Sequence, residues 1–206
     1  GERKSDELIQ NLLEVGLLSE AGINSRTGGQ AYKTFGIKSL VFPLKNRENK
    51  IVSFYFRSTV NDKEAKHFYL KNRSGIYPNY PKPETKKLIL TEAIIDCASL
   101  LQIKEIRDNY SLISCFGTNG LNDEILQAIK ELPKLEEIIF CFDNDDAGRK
   151  AVIKCSNLSM EQCNNVKMTS VELPNNDVNE TLQLHDESIF VELVNNRIAL
   201  QSPIPI

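Results

Sequence analysis

Acidic side chains stand at the ends of three of the four strands that the C-terminal half of the chain is predicted to form. Glu92 ends the first of these strands, and Asp143 ends the third and is soon followed by Asp145. Asp177 lies in the loop after the fourth strand. Because an open parallel sheet places its ligand site at the edge where the strands end, we expect these carboxylates to lie close together.

Several carboxylates at one edge repel one another unless something compensates their charge. Two unit charges about 4 Å apart repel by roughly 4 kcal/mol at an effective dielectric constant of about 20. Either some of the carboxyls are protonated or a divalent cation lies among them. Ligands that are all oxygen, with no His or Cys nearby, indicate Mg²⁺ or Mn²⁺ rather than Zn²⁺.

The alternative is that these acids are helix N-caps and first-turn residues, which the helix dipole favours. This alternative stays open for Asp96 and for Glu180, each taken alone. It fits the strand-end acids Glu92, Asp143 and Asp145 less well, because an acid that ends a buried strand costs stability unless it is used.

The elements that position these residues alternate between short apolar runs and amphipathic stretches. We predict strands at 88–92, 111–116, 135–143 and 165–173, and helices at 93–103, 121–132, 146–158 and 186–200. Strands that alternate with helices imply a parallel sheet with right-handed crossovers, and thus an α/β fold. The second strand ends at Gly117 and Thr118, where the backbone can approach a ligand closely.

The N-terminal part has a different pattern, which is typical of a smaller α+β unit. The apolar spacing predicts a helix over 6–18, followed by a Gly- and Ser-rich loop. Residues 39–58 predict a hairpin, and 66–70 predict a further strand. Three prolines from Pro78 to Pro83 disfavour helix and sheet, so we place a domain boundary there. The expected organisation is an N-terminal basic subdomain at 1–83, an α/β domain at 84–201 and a tail at 202–206.

Charge is distributed unevenly along the chain, although the formal net charge is only −3. Residues 45–87 hold 11 Lys and Arg against 4 Asp and Glu, whereas residues 88–206 hold 9 against 19. The basic segment also contains 7 of the 15 Phe and Tyr residues. Basic residues interleaved with aromatics suit a polyanion that offers bases for stacking. The alternative is a solvated face whose aromatic side chains belong to a core.

Composition excludes several classes of protein. The 206 residues are 41% apolar and 26% charged, as in globular domains and unlike disordered or collagen-like chains. No apolar run reaches the roughly 20 residues that span a bilayer. The five cysteines are odd in number, scattered and without a CxxC pair. We therefore expect a reducing, cytoplasmic compartment and no zinc site within the chain.

Other known functional motifs are incomplete or absent in the sequence. DNDDAG at 143–148 superficially suits a calcium-binding EF-hand loop, but the twelfth position is Lys154, where a bidentate Glu is required. The sequence has no dinucleotide-binding, P-loop, zinc-protease or serine-hydrolase motif. His67 and His185 are isolated in the sequence, and we interpret both as surface or packing residues.

Four short motifs together resemble the Toprim domain, which occurs in bacterial DnaG-type primases, topoisomerases, a class of nucleases and recombination-mediator proteins. They are TEAIID (91–96), FGT (116–118), FCFDNDDAG (140–148) and LPNNDVNE (173–180). The resemblance implies that Glu92, Asp143 and Asp145 are catalytic, and that these three with Asp177 hold Mg²⁺ or Mn²⁺. By the same resemblance, the supporting residues are Asp96, Gly117, Thr118 and Gly148.

Within that family the primase branch is the most similar. FPLKNRENKIVSFYFR (42–57) and KHFYLKN (66–72) resemble the basic strand-loop-strand that precedes the Toprim part of primases. The resemblance implies metal-dependent synthesis of RNA primers from ribonucleoside triphosphates on single-stranded DNA, with a replicative helicase as partner through regions outside this chain. It also implies contacts to template or nucleotide phosphates from Lys45, Arg47, Arg57 and Lys66.

Several positions depart from the primase pattern. Ala93 replaces a Gly, Asp146 replaces a frequent Arg, and Asn179 replaces a late acid. Tyr55 and Phe56 stand where primases prefer glycines. These differences fit a divergent primase, such as one from a mobile element, or one that has lost some activity. Two other functions therefore stay open: Toprim-type phosphodiester cleavage, as in nucleases and topoisomerases, and a non-enzymatic DNA-binding module.

Overall fold

The computed structural model describes residues 2–60, 66–115, 121–163 and 165–201. The predicted supporting residues Gly117 and Thr118 and the predicted tail at 202–206 lie outside the described residues. The chain divides into two units, Gly1–Gly75 and Ile76–Ile206. Within the described ranges, no helix combines the length and the apolar character needed to cross a membrane.

The described residues of the first unit form one helix and two small antiparallel sheets. Its elements are α1 (Glu2–Glu14), β1 (Leu18–Ile23), β2 (Gln30–Thr34), β3 (Ser39–Lys45), β4 (Ile51–Ser58) and β5 (His67–Tyr69). Strands β3, β4 and β5 form one sheet in that order, and β1 pairs with β2 in the other. The predicted hairpin and the further strand are therefore confirmed.

The loop predicted after the first helix is wrong, because this segment forms the β1–β2 hairpin. The Asn24 side chain accepts backbone hydrogen bonds from Arg26 and Thr27 at 2.9 and 3.2 Å, which is the way Asn stabilises a turn. The Gly28 N–H closes the turn by donating to the Asn24 carbonyl at 2.8 Å. Both strands lack an apolar alternation that could have predicted them, because nearly all of their residues are exposed.

The second unit is a five-stranded sheet with helices on both faces. Its elements are β6 (Lys87–Thr91), α2 (Ile94–Leu100), α3 (Lys104–Asn109), β7 (Ser111–Ser114), α4 (Asp123–Lys130), β8 (Glu137–Cys141), α5 (Asp146–Gln162), β9 (Lys167–Ser170), α6 (Val178–Leu184), α7 (Ser188–Asn195) and β10 (Ile198–Ala199). The strand order is β10-β9-β8-β6-β7. Strands β6 to β9 are parallel to one another. The short β10 pairs antiparallel with its neighbour β9. The predicted α/β fold with about four parallel strands is confirmed.

Both faces of this sheet are buried, which explains why its strands are continuous apolar runs. Successive strand residues point to opposite faces. Ile89 and Ile139 pack with side chains of α2, α3, α6 and α7. Leu90 and Phe140 pack on the other face with side chains of α4 and α5. The central strands β6 and β8 are thereby held rigidly, and they carry the site acids at their carboxyl ends.

The C-terminal helix prediction at 186–200 is too long. Helix α7 ends at Asn195, and residues 198 and 199 pair with β9 instead. Arg197 explains the break, because its guanidinium bonds to the buried Glu137 carboxylate at the start of β8. Helices α3 and α6 were not predicted, since each is only six or seven residues long.

The proline-rich segment that suggested a domain boundary packs with the second unit. Ile76 is fully buried in the core on one face of the sheet. The Tyr77 carbonyl accepts a hydrogen bond from the Ser114 N–H at 3.0 Å, next to the edge strand β7. The contacts of the chain divide at Gly75, and the boundary placed at Pro83 stays a prediction.

Candidate metal and nucleic-acid sites

Glu92 is the first residue after β6, and its side chain turns into the protein. The residue is 8% exposed, and Oε2 is buried without a hydrogen-bond partner among the described residues. Burial raises the pKa of Glu92, the Asp143 N–H lowers it by donating to the carboxylate, and the Asp145 charge raises it again. An orphaned carboxylate oxygen in a buried position is costly, and a bound cation would compensate it.

Asp96 lies in the first turn of α2 and is 4% exposed. Its pKa is raised to about 7, first by burial and then by the charge of Asp177. The backbone N–H groups of Ala93 and Asn179 donate to its carboxylate and partly oppose that rise. Asp96 therefore has the position of a first-turn acid in α2. It also accepts the hydrogen bond from Asn179 at the start of α6, next to Asp177.

Asp143 is the point at which the predicted acids converge. It is half-buried, and burial is the largest cause that raises its pKa to about 7. Four neighbouring carboxylates raise it further, and in decreasing order of effect they are Asp96, Glu92, Asp177 and Asp145. The electrostatic cost expected from the sequence is thus present at the carboxyl ends of the strands.

Asp145 and Asp177 each use one oxygen to cap a helix. Asp145 Oδ1 accepts from the Gly148 N–H at 2.7 Å at the start of α5. Asp177 Oδ1 accepts from the Glu180 N–H at 2.6 Å at the start of α6. Glu180, in the first turn of α6, accepts from the Asn176 N–H at 3.0 Å, so the interpretation as a first-turn acid holds for Glu180.

Gly148 supports the site by allowing two backbone segments to approach each other. A Cβ atom at this position would lie 2.0 Å from the Asp143 carbonyl oxygen, well inside van der Waals contact. Any side chain at residue 148 would push Asp143 away from its place beside Glu92.

Asn144, which sequence reasoning missed, ties the loop after β8 to the loop after β9. Its N–H donates to the Asn176 carbonyl at 2.7 Å, and its side-chain amide donates to the Leu173 carbonyl at 2.9 Å. Arg149 in turn donates to the Asn144 side-chain oxygen at 3.2 Å. These bonds fix the segment containing Asp143 against the segment containing Asp177, and no sequence signal pointed to them.

The donor set fits a divalent cation, although a finished ligand shell is not formed. Within the described ranges, no three Asp, Glu, His or Cys side chains are placed together as a metal-binding group. The Glu92 oxygen has no hydrogen-bond partner among the described residues, and the pKa values of Asp96 and Asp143 are raised by burial and by neighbouring carboxylates. All these donors are carboxylate oxygens, as Mg²⁺ and Mn²⁺ prefer.

The predicted phosphate-binding residues of the first unit lie on or beside the three-stranded sheet. Lys45 ends β3, and Arg47 is exposed in the turn that follows. Arg57 lies on β4 directly opposite His67 of β5. Lys66 immediately precedes β5, is exposed, and accepts a backbone hydrogen bond from Ser58 at 3.0 Å through its carbonyl.

Two of the aromatics in the basic segment are core residues rather than stacking surfaces. Tyr55 and Phe56 are 2% and 3% exposed. The Phe56 ring packs edge-on against Phe35 at 5.1 Å, and the Tyr55 ring lies 5.1 Å from Tyr69. Tyr69 is half-buried and carries the Arg73 guanidinium 4.1 Å above its ring centre. The core interpretation therefore holds for the two buried rings.

Comparison with known proteins agrees with this geometry. Residues 89–182 match the family described as Toprim-like. A DNA primase of Buchnera aphidicola is 30% identical over 189 residues, covering 85% of this chain and 30% of that protein. The chain is similar to the Toprim core of DnaG-type primases. The resemblance deduced from the sequence motifs is thereby confirmed.

Two solved structures have a fold similar to that of this chain. A DNA primase domain from Pseudomonas aeruginosa has a TM-score of 0.70 at 21% identity, and the match covers 93% of this chain and 60% of that one. A DnaG primase catalytic domain bound to single-stranded DNA has a TM-score of 0.67 at 17% identity, covering 94% and 60%. The chain spans less than a third of the length of the Buchnera primase.

The departures from the Toprim pattern have identifiable contacts. Asp146 accepts from the Arg149 guanidinium at 2.5 Å on the exposed start of α5. Asn179, which replaces a late acid, accepts from the Ser99 hydroxyl at 3.3 Å and thereby links α6 to α2. At residue 179 this chain thus has a neutral hydrogen-bonding side chain where the Toprim pattern has an acid.

Proposed function

We propose that this chain is the catalytic core of a DNA primase, which synthesises RNA primers on single-stranded DNA during replication. The observation that carries the proposal is the group of carboxylates whose pKa values are raised around Asp143, at the carboxyl ends of parallel strands. Clustered groups with perturbed pKa values mark functional sites more often than structural ones. The likeness to primase cores supplies the reaction.

Glu92, Asp143, Asp145 and Asp177 are the residues that would hold Mg²⁺ or Mn²⁺. When bound, the metal stabilises negative charge on the nucleotide phosphates and on the departing pyrophosphate. Glu92 would contribute the buried oxygen that has no partner among the described residues. Asp145 and Asp177 each keep one oxygen as a helix cap, which fixes the direction of the other.

The first unit would bind the nucleic acid. Lys45, Arg47, Arg57 and Lys66 are its proposed phosphate contacts, and the excess of 11 basic over 4 acidic residues in 45–87 supports this role. Single-stranded DNA would be the template and ribonucleoside triphosphates the substrates. A replicative helicase would be the partner through regions outside this chain. The five free cysteines support a cytoplasmic location.

Incorporation of labelled ribonucleotides on single-stranded DNA, with Mg²⁺ or Mn²⁺, tests the proposal. Asp143→Asn combined with Asp145→Asn removes two charges, and Asn at residue 145 still serves as a helix cap. We expect the double variant to form at least about 100-fold less product than the wild type. This loss is larger than the one seen when a residue behind a metal ligand is replaced. Asp146→Asn is the matched control, because Asp146 is exposed and pairs with Arg149.

Other outcomes would select the competing functions. Metal-dependent cleavage of the DNA without incorporation would identify a Toprim nuclease. Binding of DNA with neither incorporation nor cleavage would identify a non-enzymatic module. Equal loss in Asp146→Asn and in the double variant would contradict the assignment of the site to Asp143 and Asp145.

A further inference from the structure

His67 lies between the buried Tyr55 and Arg57, which is one of the proposed phosphate contacts of the first unit. Arg57 on β4 and His67 on β5 are directly opposite in the antiparallel pairing. Arg57 Nη1 lies 2.6 Å from His67 Nε2 and 3.4 Å from the other ring nitrogen, Nδ1. Nδ1 in turn lies 2.6 Å from the Tyr55 hydroxyl. The three side chains form one continuous hydrogen-bonded row.

The chemistry of the guanidinium fixes the direction of these bonds. Arginine can only donate, so His67 Nε2 is the acceptor of the Arg57 N–H. In the tautomer that allows this, the neutral imidazole carries its proton on Nδ1, which then donates to the Tyr55 hydroxyl oxygen. Burial, followed by the charges of Arg57 and Lys66, lowers the pKa of His67, which agrees with a neutral ring.

Tyr55 gives this row a rigid base. It is 2% exposed, and its ring lies 5.1 Å from the Tyr69 ring and 5.8 Å from the Phe42 ring. The row therefore starts at a buried core residue and ends at the half-buried Arg57. An arginine held in one rotamer loses less freedom when it binds a ligand than an unrestrained arginine does.

We propose that His67 is a positioning residue, which holds the Arg57 guanidinium ready to contact a phosphate of single-stranded DNA. This inference rests on the proposed function, in which Arg57 contacts the nucleic acid. A guanidinium has five N–H donors, and the bond from Nη1 to His67 leaves others to bind an anion. His67 acts by positioning Arg57 and not by its own charge, because the neutral ring adds no positive charge to the proposed phosphate-binding residues.

A double-mutant cycle on the affinity of the chain for a labelled oligothymidylate tests the proposal. The variants are His67→Ala, Arg57→Ala and the two combined, followed by fluorescence anisotropy at fixed salt. We expect about a fivefold to tenfold loss for either single variant, and a combined loss within about twofold of Arg57→Ala alone, because coupled residues are not additive. His67→Gln places an amide oxygen near the Nε2 position and should retain affinity within about twofold of the wild type.

Controls separate positioning from folding. His185→Ala changes the other histidine of the chain, which bonds to Asn175 outside the basic segment, and should leave the affinity unchanged. His67→Phe keeps a ring without an acceptor and should behave like His67→Ala, while thermal unfolding confirms that each variant is folded. The inference is supported if His67→Ala and His67→Phe fold and lose affinity, whereas His67→Gln folds and keeps it.

The failures can be told apart. Additive losses in the double variant, or no rescue by His67→Gln, would overturn the positioning role and leave the DNA contact of Arg57 intact. An unchanged affinity in Arg57→Ala would overturn both the positioning role and the proposed DNA contact. The incorporation assay reports separately on the metal site and on the primase reaction.

Discussion

Two buried glutamates lie at opposite ends of neighbouring strands in the same sheet, and their surroundings are opposite in kind. Glu137 begins β8 and accepts two bonds of 2.6 Å from the Arg197 guanidinium and one of 2.9 Å from the Thr169 hydroxyl. Glu92 follows β6 and keeps one buried oxygen without a partner among the described residues. Burial is similar, at 4% and 8% exposure, so the partners make the difference.

The pKa values of the two carboxyls move in opposite directions for this reason. Burial alone would raise both. At Glu137 the hydrogen bonds from Arg197 and Thr169 outweigh burial and hold the pKa below its usual range. At Glu92 burial dominates, and the pKa is raised. A compensated carboxylate serves the fold, whereas an uncompensated one costs stability and is kept where a ligand can use it.

The largest effect is expected where the compensated pair is broken. Glu137→Gln leaves the part-buried Arg197 guanidinium without its counter-ion, and losing one partner of such a pair costs up to about 3–5 kcal/mol. Urea unfolding measures this free energy. Glu136→Gln is the matched control, because Glu136 is exposed and its pair with Lys86 is at the surface, so no measurable change is expected. Equal stability of the two variants would contradict the role of the Glu137–Arg197 pair.

The opposite sign is expected at the uncompensated end of the sheet. The pKa of Asp96 rises from 3.8 to about 7 on folding, so its protonated form stabilises the fold. That stability is present below about pH 4, falls as pH rises, and is lost above about pH 7. Asp96→Asn removes this loss and should raise the free energy of unfolding at pH 8 by about 2–4 kcal/mol.

Urea unfolding of wild type and Asp96→Asn at pH 5 and pH 8 checks this prediction. The gain should be much smaller at pH 5, where wild-type Asp96 is largely protonated. Glu137 acts in the other direction, because its lowered pKa gives stability that is present above about pH 4.5 and lost as pH falls through its folded value. Destabilisation by Asp96→Asn at pH 8 would mean that the charge of Asp96 is already compensated.

A bound cation should compensate the same end of the sheet. At pH 8, Mg²⁺ or Mn²⁺ at about 100 times its dissociation constant should stabilise the chain by about 2.7 kcal/mol, as for any ligand that binds only the folded state. Asp143→Asn should lose this response, because Asp143 lies among all the other site acids. Removal of the metal with a chelator should restore the original melting temperature. Equal stabilisation of both proteins by the metal would place the cation elsewhere.

The sequence predicted the parts of the fold that local patterns encode. Strands β6 and β8 are buried on both faces, so their apolar runs were visible, and the rule for parallel sheets then placed Glu92 and Asp143 at one edge. The first sheet, β1–β2, was missed because its strands are exposed. Strand β10 was missed because its place depends on Arg197 reaching Glu137, which is 60 residues away.

The same reasoning separates the site residues that could be predicted from those that could not. A strand-end acid is recognisable from its position along the chain. Asn144 bonds to Leu173, which is 29 residues away, and His67 bonds to Arg57 on the neighbouring strand. Both bonds become visible only in the folded chain. Positioning residues therefore escape a search that looks for charged or metal-binding side chains.

The smallest expected effect concerns the link between the two acid-bearing loops. Asn144→Ala removes the 2.9 Å bond to the Leu173 carbonyl and the acceptor for Arg149, but keeps the backbone bond to Asn176. Such a loss costs about 0.5–1.5 kcal/mol of stability. Because the loops also hold Asp143 and Asp177, we expect the Mn²⁺ affinity to fall about tenfold, within the range seen when residues behind metal ligands are replaced.

Titration with Mn²⁺, followed by electron paramagnetic resonance, measures that affinity. Asn176→Ala is the matched control, since Asn176 enters these bonds only through its backbone and should bind the metal as the wild type does. The comparison with Glu137 makes the test specific: Glu137→Gln should lower stability far more than Asn144→Ala, yet leave Mn²⁺ affinity unchanged under folding conditions. A loss of affinity in Glu137→Gln comparable to that in Asn144→Ala would show that the two ends of the sheet are coupled, and that stability and metal binding cannot be assigned to separate ends.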